Sequence, residues 1–141
     1  MARAFFATLI ATIAVTTLMY MNVRLDLYPE FDILQDIEGF NARIGLPATE
    51  QAVWVTHLLI GIGLYGLVFA LLEPILPGRG FASGLWFGVL TWLAMMLVFM
   101  PMSGHEIFAL DLPPVFITMT LGLNLLYGGI LGVSYAAFGD E

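Results

Sequence analysis

The sequence contains no cysteine and no lysine, and charged residues make up only 11% of its 141 positions. The absence of cysteine excludes disulfide bonds, thiolate metal sites and thiol catalysis. A soluble domain carries roughly 25% charged residues, so this chain has too few to cover a surface that faces water on all sides. With four arginines as its cations, the chain also lacks the basic surface that nucleic-acid binding needs, and nucleic acid is excluded as a partner.

Long apolar segments account for most of the chain, since 60% of its residues are hydrophobic. Four segments have close to the ~20 residues that a helix needs to cross a ~30 Å hydrocarbon core. Lipid offers the backbone no hydrogen-bond partners, so each segment is expected to be helical. The predicted bounds are about 4–21, 52–72, 81–102 and 115–138. The sequence therefore predicts an all-α fold, with residues 1–141 forming a single integral membrane domain built as a four-transmembrane-helix bundle.

The first apolar segment follows Arg3 as a signal peptide would, but no small-x-small cleavage site comes after it, which favours a retained helix. The longest connection, about residues 23–50, is acidic. Apolar residues spaced among its acids over 29–37 predict a short amphipathic helix at the membrane surface. Two prolines and two glycines in 73–80 predict a tight turn, and Pro101 is expected to end or kink the third helix. The acids of the long connection are Asp26, Glu30, Asp32, Asp36, Glu38 and Glu50.

One two-helix unit is predicted to occur twice in the chain. An alignment of the first and third helices pairs Thr8 with Gly84 and Thr12 with Gly88, which places small residues at equal intervals on both helices. The second and fourth helices align over His57 to Gly61 and Asn124 to Gly128, and this match extends to Glu73 and Asp140. Two even-numbered units face the same way, so their pseudo-twofold axis is expected along the membrane normal. The alternative is chance similarity between apolar helices of biased composition.

Small residues form stripes on two of the predicted helices. Glycine at every fourth position removes side chains and allows two helix backbones to approach closely, which promotes association inside a membrane. Internal helix packing is the favoured interpretation, and a docking face for another membrane protein is the alternative. The glycines concerned are Gly80, Gly84, Gly88, Gly128 and Gly132.

The orientation of the bundle depends on its arginines. Arg3 and Arg79 fall on one side of the membrane, and Arg24 and Arg43 fall on the other, so the positive charges are balanced. The terminal amine and the arginine in the short turn favour both termini on the cytoplasmic side of the cell inner membrane. The acidic connection and the loop over 103–114 are then outside.

Five polar residues are predicted to gather at the outer end of the bundle. Ionisable groups at membrane depth are candidates for function because their burial is costly. His57 is open to three interpretations: a structural hydrogen bond to Asn124 or to a threonine across the bundle, ligation of haem or a metal, and proton relay or ligand binding. The candidate residues are His57, Asn124, His105, Glu106 and Asp111.

No cofactor and no metal site is predicted, although haem b and copper are retained as minor alternatives. A bis-histidine haem needs a second histidine on a facing helix, where this chain has Asn124. Thioethers together with histidine suit Cu(I), and six methionines fall toward the outer end, but methionine is also a common filler in apolar packing. These are Met19, Met21, Met95, Met96, Met100 and Met102. No nucleotide-binding loop, catalytic triad or zinc-protease motif is present, so no catalytic residue is assigned.

Several short stretches resemble those of small four-helix bacterial membrane proteins grouped as a domain of unknown function, akin to YagU-like proteins. They are Phe31-Asp32-Ile33, Trp54-Val55-Thr56-His57 with Gly61, Leu76-Pro77-Gly78, Met100-Pro101-Met102, and Leu126 to Gly132 with Tyr135. The resemblance covers most of the chain and implies the same architecture, with no assigned activity. The family pattern often has a histidine before the Tyr-Gly of the last helix, where this chain has Asn124, so the resemblance gives a ligand role for His57 no support.

The leading hypothesis for function is a non-catalytic membrane protein that acts as an accessory or structural subunit of a larger membrane complex, respiratory or photosynthetic. Its partners are then the lipid bilayer and other membrane subunits. Small size, absent catalytic motifs and glycine-rich faces motivate it. A small transporter or channel is the alternative, motivated by the tandem units and the polar outer cluster, and a haem or metal protein is the third hypothesis.

Overall fold

The computed structural model describes residues 1–29 and 31–139, in which five helices follow one another. Four of them are long and apolar enough to cross a membrane, which confirms the predicted all-α class and indicates a multi-pass membrane protein. Glu30 of the acidic connection and Asp140 of the proposed repeat lie outside the described residues. The helices are α1 (Ala2–Leu25), α2 (Ile33–Arg43), α3 (Glu50–Ile75), α4 (Phe81–Ser103) and α5 (Val115–Ala137).

The four long helices stand in the spatial order α3, α1, α5, α4. Helix α5 packs closely against α4 and α1, and α1 packs in turn against α3. Within the described residues, α3 and α4 share almost no close backbone contacts. They meet through aromatic side chains toward one end, where the Phe87 ring contacts Tyr65 and Phe69. At the other end α2 packs against both α3 and α4 and bridges the gap between them.

The contact between α4 and α5 is built from the glycines. A methyl group added at Gly84 would overlap the carbonyl oxygen of Gly128, and one at Gly132 would overlap the carbonyl oxygen of Gly80. Gly88 lies equally close to the Asn124 backbone. All five glycines therefore face another helix of the same chain, and their close approach leaves no room there for a partner protein.

The two hairpins of the predicted duplication, α1 with α3 and α4 with α5, have comparable helix–helix contacts. In the first, Gly61 of α3 lies against the Thr12 side chain of α1. Under the predicted alignment these residues correspond to Gly128 and Gly88 of the second hairpin, where a Cβ at Gly128 would lie 2.8 Å from the Gly88 nitrogen. Such contacts are what a duplicated unit would retain, and the duplication stays a prediction.

The surface helix is present, but its predicted bounds of 29–37 are wrong. Helix α2 starts at Ile33 because the Asp32 carboxylate accepts a hydrogen bond from the Gln35 backbone N–H (3.2 Å) and caps the first turn. It continues to Arg43 because Phe40 extends the apolar stripe of Ile33 and Ile37 at helical spacing. The longer helix is what reaches across to α4.

Pro101 does not end the third helix, which continues to Ser103. A proline ring clashes with the carbonyl four residues earlier and offers no N–H to bond to it. The structure accommodates this with a π-helical turn over Met95–Phe99, immediately before the proline. The proline thus changes the local helix geometry within α4.

Candidate functional site

A cavity of about 400 Å³ lies inside the bundle at the end that carries α2. All five helices contribute to its wall, and most of the lining side chains are apolar. Sites for small molecules typically enclose roughly 300–1,000 Å³ of mainly apolar surface with a few polar groups. The cavity has this size and character.

The cavity opens sideways between α3 and α4, two long helices that meet through aromatic side chains toward the other end of the bundle. Leu64 on α3 and Val98 on α4 both line it, yet 52% and 56% of their surfaces stay exposed. Ala94, one turn below Val98, also lines the cavity and is exposed. We call this opening the α3–α4 window. It lies in the apolar part of both helices.

Both edges of the window are π-helical. The turn over Leu59–Leu64 interrupts α3, and the turn over Met95–Phe99 interrupts α4. Most π-helical turns are single insertions within α-helices, and they are frequent at functional sites. Here each turn supplies side chains to the cavity wall, among them Leu64 and Phe99.

The π-helical turn of α3 is stabilised from neighbouring helices. The Tyr127 hydroxyl of α5 donates a hydrogen bond to the Gly61 carbonyl oxygen. The Thr8 hydroxyl of α1, which is 2.9 Å from the Ala4 carbonyl oxygen of its own helix, lies 3.1 Å from the Ile62 carbonyl oxygen. Carbonyl groups in a membrane need such partners because water is absent. The widened turn is therefore a supported part of the fold.

His57 hydrogen-bonds to a threonine across the bundle. Its Nε2 atom lies 2.8 Å from the Thr16 hydroxyl oxygen of α1, and the Trp54 ring meets the imidazole edge to face. His57 and Thr16 line this cavity and also a second cavity of about 540 Å³, which is formed by α1, α2 and α3. Asp32, Glu38 and Glu50 line that second cavity, so its character is more polar. His57 and Thr16 thus separate an apolar compartment from a polar one.

Asn124 also lines the apolar cavity, but its side-chain amide is hydrogen-bonded to neighbouring groups of α4 and α5. Its oxygen accepts a hydrogen bond from the Thr91 hydroxyl (2.9 Å), and its nitrogen donates to the Thr120 carbonyl oxygen (2.8 Å). The same nitrogen lies 3.7 Å from the Met95 sulfur. These contacts join α5 to α4 and leave Asn124 with a structural role.

Thr12 is the exception among the polar groups of the cavity. Its side chain is almost fully buried, and its hydroxyl has no hydrogen-bond partner within the described residues. Thr8, one turn earlier, shows the usual arrangement and donates to the Ala4 carbonyl oxygen (2.9 Å). The Tyr127 hydroxyl donates its own proton to Gly61, and its oxygen lies near Thr12 as an available acceptor. An unsatisfied buried hydroxyl is costly in an apolar setting.

The remaining predicted residues form a cluster at the mouth of the bundle. The His105 ring lies between two carboxylates, with Nε2 2.8 Å from Asp36 of α2 and Nδ1 2.7 Å from Asp111. The Glu106 backbone N–H donates to Asp111 (2.8 Å), so Glu106 contributes through its backbone. Imidazole donates from both nitrogens only when protonated, so this geometry suits the cation. We call Asp36, His105 and Asp111 the α2 latch, because they join α2 to the loop after α4.

The latch shifts the pKa of each member. Burial raises the pKa of Asp36, although the hydrogen bond from His105 opposes this shift. Burial lowers the pKa of His105, but the hydrogen bonds and charges of Asp111 and Asp36 outweigh it and leave the pKa raised. The hydrogen bond to His105 lowers the pKa of the exposed Asp111. The two carboxylates therefore stabilise the protonated imidazole in the folded protein.

The comparison with protein families matches residues 1–141 to a family of unknown function, DUF6789. The chain belongs to this family. No curated protein matches the chain, and no solved structure does. Membership over the full length agrees with the expected uncharacterised family of membrane proteins, whereas the link to YagU-like proteins stays a prediction.

In this DUF6789 protein the five predicted polar residues form two groups. His57 and Asn124 line the cavity, while His105, Glu106 and Asp111 do not line it and meet in the α2 latch. The methionines divide as well. Met96 and Met100 are buried in the core, and Met19, Met95 and Met102 line the cavity.

Sequence reasoning missed the partners that complete these sites. Asp36 was recognised only as one acid among six and Thr12 only as a small residue of a repeat, while Thr16 was not singled out. Asn41 was missed altogether, although it is fully buried and accepts a hydrogen bond from Thr56 of α3 (2.9 Å). A polar residue within the apolar stripe of α2 was the available signal, since Asn41 directly follows Phe40.

Proposed function

We propose that this DUF6789 protein is a non-catalytic membrane protein that binds an apolar small molecule taken from the bilayer. The observation that carries the proposal is the cavity behind the α3–α4 window. A bundle whose four helices all packed together along their full length would leave a lipid-soluble molecule no path to the cavity. Here α3 and α4 stay apart at the depth of the lipid tails while the bundle remains joined at both ends.

The polar groups of the cavity support binding over catalysis. Asn124 is engaged with Thr91 and Thr120, and His57 is engaged with Thr16. His57 is a base that lies beside a hydroxyl in the cavity, and among the described residues no acidic side chain lines the cavity to orient its ring. No group of three His, Asp or Glu residues suited to a metal ion occurs within residues 1–29 and 31–139.

Filling the cavity is expected to abolish binding. Ala94→Phe places an aromatic ring into the window, while the matched Leu90→Phe lies one helical turn away on an exposed position that does not line the cavity. Protein purified gently from its own membranes is extracted, and co-purified compounds are quantified by mass spectrometry. We expect one apolar compound near one-to-one stoichiometry in the wild type and in Leu90→Phe, and at least a tenfold loss in Ala94→Phe. Equal amounts in both variants would contradict the proposal.

An accessory role in a larger membrane complex stays a second proposal. The observation that favours it is the small extramembrane mass, since α2 and short loops are what the described chain places outside its four long helices. The glycine faces no longer support it, because they are used within the bundle. Native gels of mildly solubilised membranes are expected to show the chain migrating with a defined larger complex. Migration alone would remove this proposal and leave the cavity unaffected.

We also propose the cytoplasmic membrane as its location, with both termini on the cytoplasmic side. Arg3 and the short turn with Arg79 support this orientation. A cysteine introduced at Arg79 should then react with a membrane-impermeant thiol reagent only after the cells are opened.

A further inference from the structure

We propose that the molecule held in the apolar cavity is the tail of a single-chain amphiphile, whose positively charged head group lies in the second cavity between α1, α2 and α3. This inference rests on the proposed function and adds the head group of the ligand. We call the second cavity the acidic cavity, because Asp32, Glu38 and Glu50 lie on its wall. Three features carry the inference: the two cavities adjoin, they lie at different depths, and the acidic cavity combines carboxylates with aromatic rings.

The two cavities adjoin, since five side chains line both of them. Within the described residues, no acidic side chain and no arginine lines the apolar cavity, whereas three acids line the other. One molecule can therefore place an apolar part and a charged part in the two cavities at once. The shared side chains are Thr16, Met19, Phe31, Ile33 and His57.

The two cavities follow each other in depth as the parts of an amphiphile do in one leaflet of a bilayer. Glu50 begins α3 and lies on the wall of the acidic cavity, whereas Tyr65 of the same helix lines the apolar cavity. At ~1.5 Å per residue the two positions are roughly 20 Å apart along the helix. A head group at the membrane surface and a tail among the lipid chains would occupy these two depths.

The charges on the wall of the acidic cavity favour a cation. Glu38 belongs to α2 and Glu50 to α3, so two helices present carboxylates to one space. Within residues 1–29 and 31–139, no arginine lines this wall and none of the three acids forms an ion pair. The Arg24 guanidinium lies 5.8 Å from the Tyr20 ring of the wall, but Arg24 does not line the cavity. A cationic head group would reduce the repulsion between the carboxylates, and an anionic one would add to it.

Aromatic rings on the same wall favour an organic cation. Tyr20, Phe31 and Trp54 line the acidic cavity together with the three acids. The ring quadrupole attracts a cation placed over an aromatic face, and quaternary ammonium groups are recognised in this way. No group of three His, Asp or Glu residues suited to a metal ion occurs in the part of the chain that the structure describes. The wall therefore fits a substituted ammonium group better than a metal ion.

The volume of the apolar cavity limits the tail. An apolar cavity of ~150 Å³ holds one benzene molecule, so 400 Å³ accommodates roughly 15 non-hydrogen atoms. A dodecyl chain fits this volume, and the two acyl chains of a phospholipid exceed it. Dodecyltrimethylammonium therefore tests the site. The matched uncharged compound is 2,2-dimethyltetradecane, in which carbon replaces the nitrogen.

The experiment measures binding of both ¹⁴C-labelled compounds by scintillation proximity, with the protein in micelles of an uncharged maltoside detergent. The wild type is expected to bind dodecyltrimethylammonium saturably. The triple variant Asp32→Asn/Glu38→Gln/Glu50→Gln should bind it roughly tenfold more weakly, because each exposed charge pair contributes a few-fold. Asparagine at 32 keeps the cap of α2, so the fold is retained. Binding of 2,2-dimethyltetradecane should be the same in both proteins.

Matched controls separate the cavity from the general charge of the protein. Asp26→Asn also removes an acid, but Asp26 follows the last residue of α1 and does not line the cavity, so binding of the cation should persist. Trp54→Leu should weaken binding of the cation by about fivefold. Trp86→Leu should leave it unchanged, because Trp86 is exposed and lines neither cavity.

The outcomes distinguish this inference from the proposed function. If the triple variant bound the cation as tightly as Asp26→Asn does, the acidic cavity would not be the site of the head group. If the wild type bound 2,2-dimethyltetradecane but not the cation, and Ala94→Phe abolished that binding, the inference would be wrong while the proposed function stood. If the wild type bound neither compound, both proposals would fail.

The same assay identifies the source of the cationic head group. Lysophosphatidylcholine is a single-chain lipid that carries the same trimethylammonium group. If it displaces dodecyltrimethylammonium, the natural occupant is a lipid of the membrane. If it leaves the binding unchanged, the occupant is a free amphiphilic cation. Either result supports a cationic head group in the acidic cavity.

Discussion

Gly128→Ala is expected to destabilise the bundle strongly, whereas Gly122→Ala on the same helix leaves its stability unchanged or raises it. A methyl group at Gly128 would overlap the carbonyl oxygen of Gly84 on α4, while nothing lies within 4 Å of a methyl group at Gly122. Overpacking a core typically costs 1–3 kcal/mol. The cost here is expected at or above about 3 kcal/mol, because backbone atoms are in the way and cannot rotate aside as a side chain can.

The two substitutions form a matched pair because both gain the same helix propensity, about 1 kcal/mol for glycine to alanine. The difference between them therefore reports the contact with α4. Thermal unfolding of both variants in detergent, followed by circular dichroism, measures it. Equal midpoints would show that α4 and α5 do not approach as closely as the structure has them.

The fold could be predicted from the sequence because its main determinants are local. A run of apolar residues must form a helix in lipid, so the bounds of α1, α3, α4 and α5 follow from composition to within about four residues. Glycines spaced four apart mark a packing face in the same way, and Gly84 and Gly128 meet across α4 and α5.

The cavity and its window could not be predicted in this way, because they depend on which helices are neighbours. The sequence does not state that α3 and α4, though adjacent in the chain, would stand at opposite ends of the row. The π-helical turns could not be predicted from the sequence for a related reason. The turn over Leu59–Leu64 depends on hydroxyls supplied by Thr8 and Tyr127 from two other helices.

The α2 latch gives the second large expected effect. His105→Leu leaves the Asp36 carboxylate buried without the group that pairs with it, which is expected to destabilise the docking of α2 by on the order of 2 kcal/mol. The double variant His105→Leu/Asp36→Leu should recover most of this loss, because replacing both polar partners with apolar groups leaves nothing unsatisfied. If the double variant were as unstable as the single one, the carboxylate would not be the cause.

The position of α2 can be measured directly because the chain has no cysteine of its own. Spin labels at Glu38→Cys on α2 and Leu97→Cys on α4 occupy exposed positions and report the distance between the helices. The wild type should give a narrow distance distribution at neutral pH. His105→Leu should give a broad one, and the double variant should approach the wild type.

The same labels should report a loosening of α2 as the pH rises. The pKa of His105 is raised in the folded protein, so its stabilisation is complete below its ordinary value of 6.5 and is lost as the pH rises through the raised value. Asp36 acts in the same direction, since its pKa is also raised: the stabilisation that it provides is complete below 3.8 and is lost as the pH rises through the raised value. Asp111 acts oppositely, because its lowered pKa provides stabilisation above 3.8 that is lost as the pH falls through the lowered value.

Between pH 6.5 and 9 the imidazole is therefore the group of the latch expected to change charge. The other charged groups beside the latch are Asp32 and Arg43, whose guanidinium lies next to Gly104. The distance distribution of the wild type should broaden across that interval, and that of His105→Leu should not respond. Because Ile37 and Phe40 of α2 form one wall of the cavity, a released α2 would open the cavity to water from its mouth. Bound apolar compound should then be retained less well at pH 9 than at pH 6 in the wild type, and equally at both in His105→Leu.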